Sequence, residues 1–230
     1  MEPEQLEPGL ATVGALTDPV RRAAYRVVAA ADAPVGRDDV ASAIGVGRTL
    51  AAHHLDRLVD AGLLEVSYAR RSGRSGPGAG RPAKLYRRAP GEHAVSVPPR
   101  AYRSAAVLLA EAVERAGADE TLFAIAARQG RLTGTTATAA GAGLREPAAV
   151  VALLTEQGYE AEPGESVVRL RNCPFHLLAE EFPPLVCGMN LALVGGLLAG
   201  AGLTGCTARL DPSPGRCCVV VDAPAVATPF

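Results

Sequence analysis

Apolar positions return at helical spacing close to the start of the chain. After Asp18-Pro19, an N-cap followed by proline at the first helical position, Val20, Ala24, Val27 and Val28 recur every three or four residues. That predicts a first helix over about 19–31. Asp38 and Asp39 favour the start of a short second helix, about 37–43, which carries Val40 and Ile44 inward. Ile44-Gly45-Val46-Gly47 then predicts a tight turn, and a third helix runs from Arg48 to Ala61 with Gly62 closing it. Beyond it the period drops to two. Leu63 to Ala69 reads as a strand and Lys84 to Arg88 as its return. Helices followed by a strand pair over residues 1–90 predict a winged helix-turn-helix.

Within the third helix, Ala51, Leu55, Leu58 and Val59 form an apolar stripe, leaving Arg48, Thr49, Ala52, His53 and Asp56 on the opposite face. Small side chains at Thr49 and Ala52 let a helix sink into a major groove, and Arg48 and His53 can donate to base edges or phosphates. His54 lies nearer the buried edge and is expected to be a packed structural histidine. The segment between the strands, Arg70 to Pro82, is rich in glycine and arginine and cannot form a core. It is either a wing that reaches phosphates or the minor groove, or a surface loop that happens to be basic. Gly80-Arg81-Pro82 presents an extended arginine of the kind a narrow minor groove accepts.

Charge sharpens this picture. The net charge is −1, yet Arg48 to Arg88 holds nine basic residues against three acidic ones, so that segment is +6 and the remainder −7. A basic stripe on an acidic chain is the footprint of a polyanion-binding module, with a merely solvated charged face as the plain alternative. Arg57, Arg70, Arg71, Arg74, Arg81 and Lys84 join Arg48, Thr49, Ala52 and His53 as candidate DNA contacts. "TDPVRRAAYRVVAAA", "GRTLAAHHLDRLVDAGLLEV" and "GRPAKLYRR" resemble the winged helix domain of ArsR-like bacterial transcription regulators. The resemblance implies double-stranded operator DNA as partner.

The chain has 230 residues, 48% hydrophobic and 20% charged, which excludes a disordered or fibrous protein and allows two small domains. Proline-rich Ala89 to Arg100 is the natural boundary, so a second domain is expected over 101–230. It opens with a helix, Tyr102 to Arg115, whose apolar face is Ala105, Leu108, Leu109, Ala112 and Val113. That face either pairs with its twin in a homodimer or packs inside its own domain. Helices are expected over Asp119 to Ala140 and from Glu146-Pro147 to Glu156. A hairpin of Tyr159–Glu162 with Val167–Arg171 follows, then a helix over Pro184–Leu198 and a last hairpin of Thr207–Leu210 with Cys217–Val221. The expected class is mainly α, an N-terminal winged helix joined to an α+β sensor domain of helices and β-hairpins.

Five cysteines, 173, 187, 206, 217 and 218, crowd the last quarter of the chain. Their number is odd and the acidic N-terminus Met1-Glu-Pro-Glu-Gln has no apolar stretch behind it, which points to thiols for metal or redox chemistry rather than disulfides. None of the gaps has zinc-knuckle spacing, so the fold must assemble any site. Buried cysteines acting as small hydrophobes are the plain alternative. If the last two strands pair around Ser213-Pro214, Cys206 falls about four residues from Cys217 along the ladder, on the order of 13 Å, too far to share an ion. Neighbours in a strand point to opposite faces, so one of Cys217 and Cys218 is expected to serve. The candidate ligands are Cys173, Cys187 and one of that pair, with His176, a helical turn from Cys173, as an extra ligand. Cys206 is the expected bystander.

"NCPFHLLAEEFPPLVCGMNLALVGGLL" followed by "ARLDPSPGRCCVVV" is similar to the C-terminal domain of SufR-type repressors. That resemblance implies a dimeric repressor whose cysteines, here Cys173, Cys187 and one of Cys217 and Cys218, hold an iron-sulfur cluster. Such a centre would lock the sensor domain, and its oxidative loss would release the segments and change the spacing of two DNA-reading heads. A hundredfold change in operator affinity needs only about 2.7 kcal/mol. A winged-helix regulator with a zinc-stabilised or small-ligand-binding sensor is the alternative. Catalysis is not expected, because the chain offers no Cys-x-x-Cys pair, no Gly-rich phosphate loop and no placeable Ser-His-acid set. The longest apolar run, Gly188 to Leu203, contains Asn190 and falls short of the ~20 residues that span a bilayer, so a cytoplasmic protein without a membrane partner is expected.

Overall fold

The computed structural model describes residues 6–69, 82–93, 95–98, 100–138 and 147–223. These form a mixed α/β structure with two small antiparallel sheets, in two compact units, Met1–Arg100 and Ala101–Phe230.

The first unit runs α1 (Leu6–Ala15), α2 (Pro19–Ala29), β1 (Val35–Gly36), α3 (Arg37–Ile44), α4 (Arg48–Asp60), β2 (Leu64–Ala69) and β3 (Ala83–Arg88). Local chemistry sets the boundaries. The Asp18 carboxylate accepts from the Arg21 amide at 2.8 Å to cap α2, and Asp39 accepts from the Gly36 amide at 3.0 Å to cap α3. Gly45 and Gly62 end α3 and α4 in the left-handed region, at φ 69° and 73°, where a side chain would be strained. The sheet order is β1-β3-β2, with Val66 opposite Tyr86 and Ser67 opposite Leu85. Ala24, Val28, Val40, Leu55, Leu58, Leu64 and Tyr86 fill the core between the helices and this sheet.

Two elements here have no strong local signal. α1 contains Pro8, Gly9 and Gly14, all poor helix formers, and is fastened from outside: Ala15 is buried in the core and Thr12 Oγ1 donates to the Ala61 carbonyl at 2.9 Å. β1 is two residues long and exists through its pairing to Leu85 and Tyr86.

The second unit runs α5 (Tyr102–Ala116), α6 (Asp119–Thr138), α7 (Ala148–Glu156), β4 (Ala161–Pro163), β5 (Val167–Leu170), α8 (His176–Glu181), α9 (Pro183–Gly200), β6 (Thr207–Leu210) and β7 (Val219–Asp222). The two expected hairpins merge into one sheet, β4-β5-β7-β6, because Val168 pairs with Val221. α7, α9 and this sheet enclose a core that includes Val150, Leu154, Tyr159, Val168, Leu170, Val194, Leu197 and Val219.

α6 and α9 make the most extensive packing between any two elements. A Cβ added at Gly130 would collide with the Leu193 carbonyl oxygen, at Gly134 with that of Leu197, at Gly196 with that of Ala127, and at Gly200 with that of Arg131. Partner numbers rise together, so the helices run in the same direction with their backbones in direct contact. Glycines four residues apart on both helices make that approach possible, as in small-residue helix pairs generally, and leave Cα–H groups against carbonyls. α9 is long and apolar enough to cross a membrane by length and composition. In this fold it buries Leu185, Val186, Asn190, Val194, Leu197 and Leu198. α5 leaves Leu108 and Leu109 each 67% exposed.

The seam yields a paired prediction. Gly196→Ala is expected to destabilise the chain by about 1–3 kcal/mol through overpacking. Gly195→Ala, whose Cβ would meet nothing within 4 Å, is expected to stabilise it by about 0.5–1 kcal/mol through helix propensity. Urea denaturation of both variants checks the contrast.

Candidate functional site

Three segments of the second unit bring four cysteines together. Cys173 follows β5 directly. Beside it, Asn172 accepts from the Glu160 amide at 2.6 Å and donates to the Gly158 carbonyl at 2.9 Å, fastening this segment to the turn after α7. Cys187 stands in the first half of α9. Cys217 and Cys218 end the long loop before β7. That loop is held by the Cys217 amide donating to the Leu170 carbonyl at 3.0 Å and the Asp211 amide donating to the Cys218 carbonyl at 2.7 Å. It is also held through Arg216, which pairs with Glu162 at 3.0 Å, the same carboxylate that Arg171 binds.

The sulfurs form two pairs. Cys173 couples electrostatically most strongly to Cys217, and Cys218 to Cys187. Asn190, fully buried on α9 three residues after Cys187, spans the first pair. Its Nδ2 donates to Cys217 Sγ at 3.3 Å and lies 4.0 Å from Cys173 Sγ, while its Oδ1 accepts from the Tyr159 hydroxyl at 2.5 Å. The Val219 amide adds a donor to Cys217 Sγ at 3.5 Å.

Electrostatics follow that geometry. The interaction with Cys217 holds the Cys173 thiol below the ordinary range against the opposing effect of burial. Cys217 is pushed up, first by its interaction with Cys173 and then by burial. Burial, then the interaction with Cys187, pushes Cys218 up to about 12. Tyr159 is raised by burial and then by the nearby Cys217, Cys173 and Cys218 sulfurs, so it stays a hydroxyl donor. The two shifts run in opposite directions, so within this pair Cys173 is the thiol that ionises more readily.

One geometric expectation is corrected. Strand alternation was expected to leave one of Cys217 and Cys218 out, but β7 starts at Val219, so both residues lie before the strand, where period two does not apply. Each finds a different thiol. His176 is not brought to the sulfurs. It begins α8 with its ring exposed and its Nε2 3.2 Å from Glu180 Oε1. Cys206 is buried in the core just before β6, its amide bonded to the Leu203 carbonyl.

Four thiols and a buried N–H donor aimed at two of them fit a thiophilic metal or an iron-sulfur group. They stand as two pairs rather than a finished cage. Among the described residues, no three of His, Cys, Asp or Glu are already disposed around a single ion. Asn190 and Tyr159 were not singled out by sequence reading. The available signal was an amide inside an otherwise apolar helix, which must find a partner or cost about 1–3 kcal/mol.

No family model, curated protein or solved structure matches the chain.

In the first unit, α4 exposes Arg48, Thr49, His53 and Arg57, with Ala52 half-buried among them. His54 is buried, and its Nδ1 has no hydrogen-bond partner among the described residues. Arg48 Nε lies 2.8 Å from Asp38 at the start of α3. Lys84 is bonded to Asp56 at 2.5 Å and sits over the Tyr86 ring, whose hydroxyl donates to the same carboxylate at 3.0 Å. Lys84 thus ties β3 to α4. Arg70, Arg71, Arg74 and Arg81 lie outside the described residues.

Burial raises the Asp56 carboxyl, but the hydrogen bonds from Lys84 and Tyr86 outweigh it and hold the group below its ordinary value of 3.8. A carboxyl lowered on folding stabilises above its ordinary value, and that contribution fades as pH falls through the folded value. Asp56→Asn is therefore expected to lower the melting temperature at pH 7, with the gap to wild type closing as the solution is acidified below pH 4. Thermal melts across that range check it, and a gap independent of pH would contradict it.

Proposed function

We propose that the chain is a DNA-binding transcription regulator, a repressor of the SufR type, whose operator affinity is set by an iron-sulfur cluster held by Cys173, Cys187, Cys217 and Cys218. The gathering of these four sulfurs from three separated segments carries the reading. Cysteines kept only as small hydrophobes have no reason to meet in pairs with a buried amide turned toward two of them. When bound, the cluster supplies oxygen- and electron-sensitive chemistry. The chain's part is to bring the end of β5, α9 and the loop before β7 to one place, so occupancy and the order of those segments are linked.

For the first unit, α3 and α4 joined by a tight turn and followed by the β2–β3 pair support a winged helix-turn-helix. In that arrangement α4 enters the major groove with Arg48, Thr49, Ala52 and His53 toward the bases. Arg57, Arg70, Arg71, Arg74 and Arg81 serve phosphates or the minor groove, and Lys84 instead braces the helix from β3. A second copy of the chain is the proposed partner at α5, where Leu108 and Leu109 remain uncovered. No catalysis is assigned, and the proposed compartment is the cytoplasm, where thiols stay reduced.

A zinc-stabilised sensor uses the same four sulfurs and is favoured by the two-pair geometry, since a four-thiolate set closes tetrahedrally on one ion. Anaerobic purification separates the readings. A brown protein with iron and sulfide is expected. Cys173→Ser is expected to lose the chromophore and Cys206→Ala to keep it, by visible absorption and metal analysis. DNA selected from random sequence by the loaded chain is expected to bind about a hundredfold differently once the centre is stripped, at fixed salt. Colourless protein with stoichiometric zinc would shift the assignment to the second reading, and equal DNA affinity with and without the centre would end the switch.

A further inference from the structure

The amide in the middle of α9 has a geometry that neither packing nor helix formation requires. Asn190 is fully buried, and an asparagine there costs stability unless all its polar atoms are used. Its two ends are sorted by their neighbours. The Tyr159 hydroxyl donates to Oδ1, so the oxygen is committed and the NH2 must face the other way, toward Cys217 Sγ and Cys173 Sγ. Tyr159 is itself buried at 2% exposure, with its hydroxyl bonded to Asn190. The relay therefore runs from a buried hydroxyl through an amide to two sulfurs in two different segments.

We propose that Asn190 is a positioning residue of the sulfur site, its amide hydrogens oriented by Tyr159 so that they stabilise negative charge on Cys173 and Cys217 and thereby set how tightly that pair holds a metal and at what potential a bound centre is reduced. The inference rests on the reading of these cysteines as ligands. An N–H directed at a coordinating sulfur withdraws charge from it. That favours the more negative, reduced form of a centre and raises the energy of sulfur-to-metal charge transfer. The same donor fixes the two sulfurs relative to α9, which already carries Cys187 on the same face at i, i+3.

Divalent cobalt, added alone to the reduced metal-free full-length chain, is the probe. Wild type is expected to bind it with sulfur-to-cobalt charge-transfer absorption. The double variant Asn190→Leu/Tyr159→Phe removes donor and relay together and leaves no orphaned polar atom, so folding is expected to survive. It is expected to bind about tenfold more weakly, with the charge-transfer band moved to lower energy. Tyr159→Phe alone, which frees the amide to rotate, is expected to move the band the same way by less, and it carries the test if the double variant does not fold. Val194→Ala, which loosens the same helix without removing a hydrogen-bond donor to a sulfur, is expected to leave the band where it is. Wherever the brown protein forms, its reduction potential is expected to be more negative in the double variant. Cobalt binding with an unshifted band and unchanged affinity in both Tyr159-substituted variants overturns the role of Asn190 while leaving the sulfur site standing. Failure of wild type to bind cobalt through sulfur overturns both.

Discussion

Backbone contact between α6 and α9 is the constraint on which the second unit depends. Gly130 and Gly134 on one helix and Gly196 and Gly200 on the other leave no room even for a methyl group between them. Close-packed backbones have few alternative arrangements, so the register of α9 is set by this seam rather than by its nearly uniform apolar surface. Cys187 and Asn190 inherit their positions from it. With α9 held, the loop before β7 and the end of β5 need only small local ties to complete the site. The Cys217 amide on Leu170 and the Arg216–Glu162 pair supply them.

The Cys173 segment and the loop before β7 are anchored by local hydrogen bonds and the Arg216–Glu162 pair, while the core beneath is closed by Val168, Val194, Leu197 and Val219. Such segments belong to the less stable part of a fold, where binding energy most readily alters order. The first unit uses a related economy of contacts. Asp56 collects Lys84 and Tyr86 from β3, which joins the exposed helix α4 to the sheet and fixes its face through a single partly exposed carboxylate.

Much of this was legible along the chain, for identifiable reasons. α2, α3 and α4 announce themselves through caps and turn glycines, Asp18-Pro19, Asp38-Asp39, Gly45 and Gly62, because those signals are local. α1, β1 and α8 do not, because they exist through contacts made elsewhere in the structure. The approach of Cys173, Cys187 and the Cys217–Cys218 stretch was expected from the sequence. That Cys217 and Cys218 each lie near a different thiol was not, since it turns on β7 beginning two residues late and so escaping strand alternation. His176 looked close in sequence but faces Glu180. Asn190 was visible only as a polar interruption, and its partners Tyr159, Cys173 and Cys217 are brought to it by the merged sheet and the glycine seam, neither of which has a sequence-local signature.

The claim that these four distant sulfurs form one inorganic centre is tested most directly by X-ray absorption at the metal edge of the anaerobically purified full-length chain. A first shell made of sulfur alone, at about 2.3 Å, is the predicted result. A shell dominated by nitrogen or oxygen would contradict the account, because it would mean the metal is held somewhere other than where Asn190 and the two cysteine pairs converge.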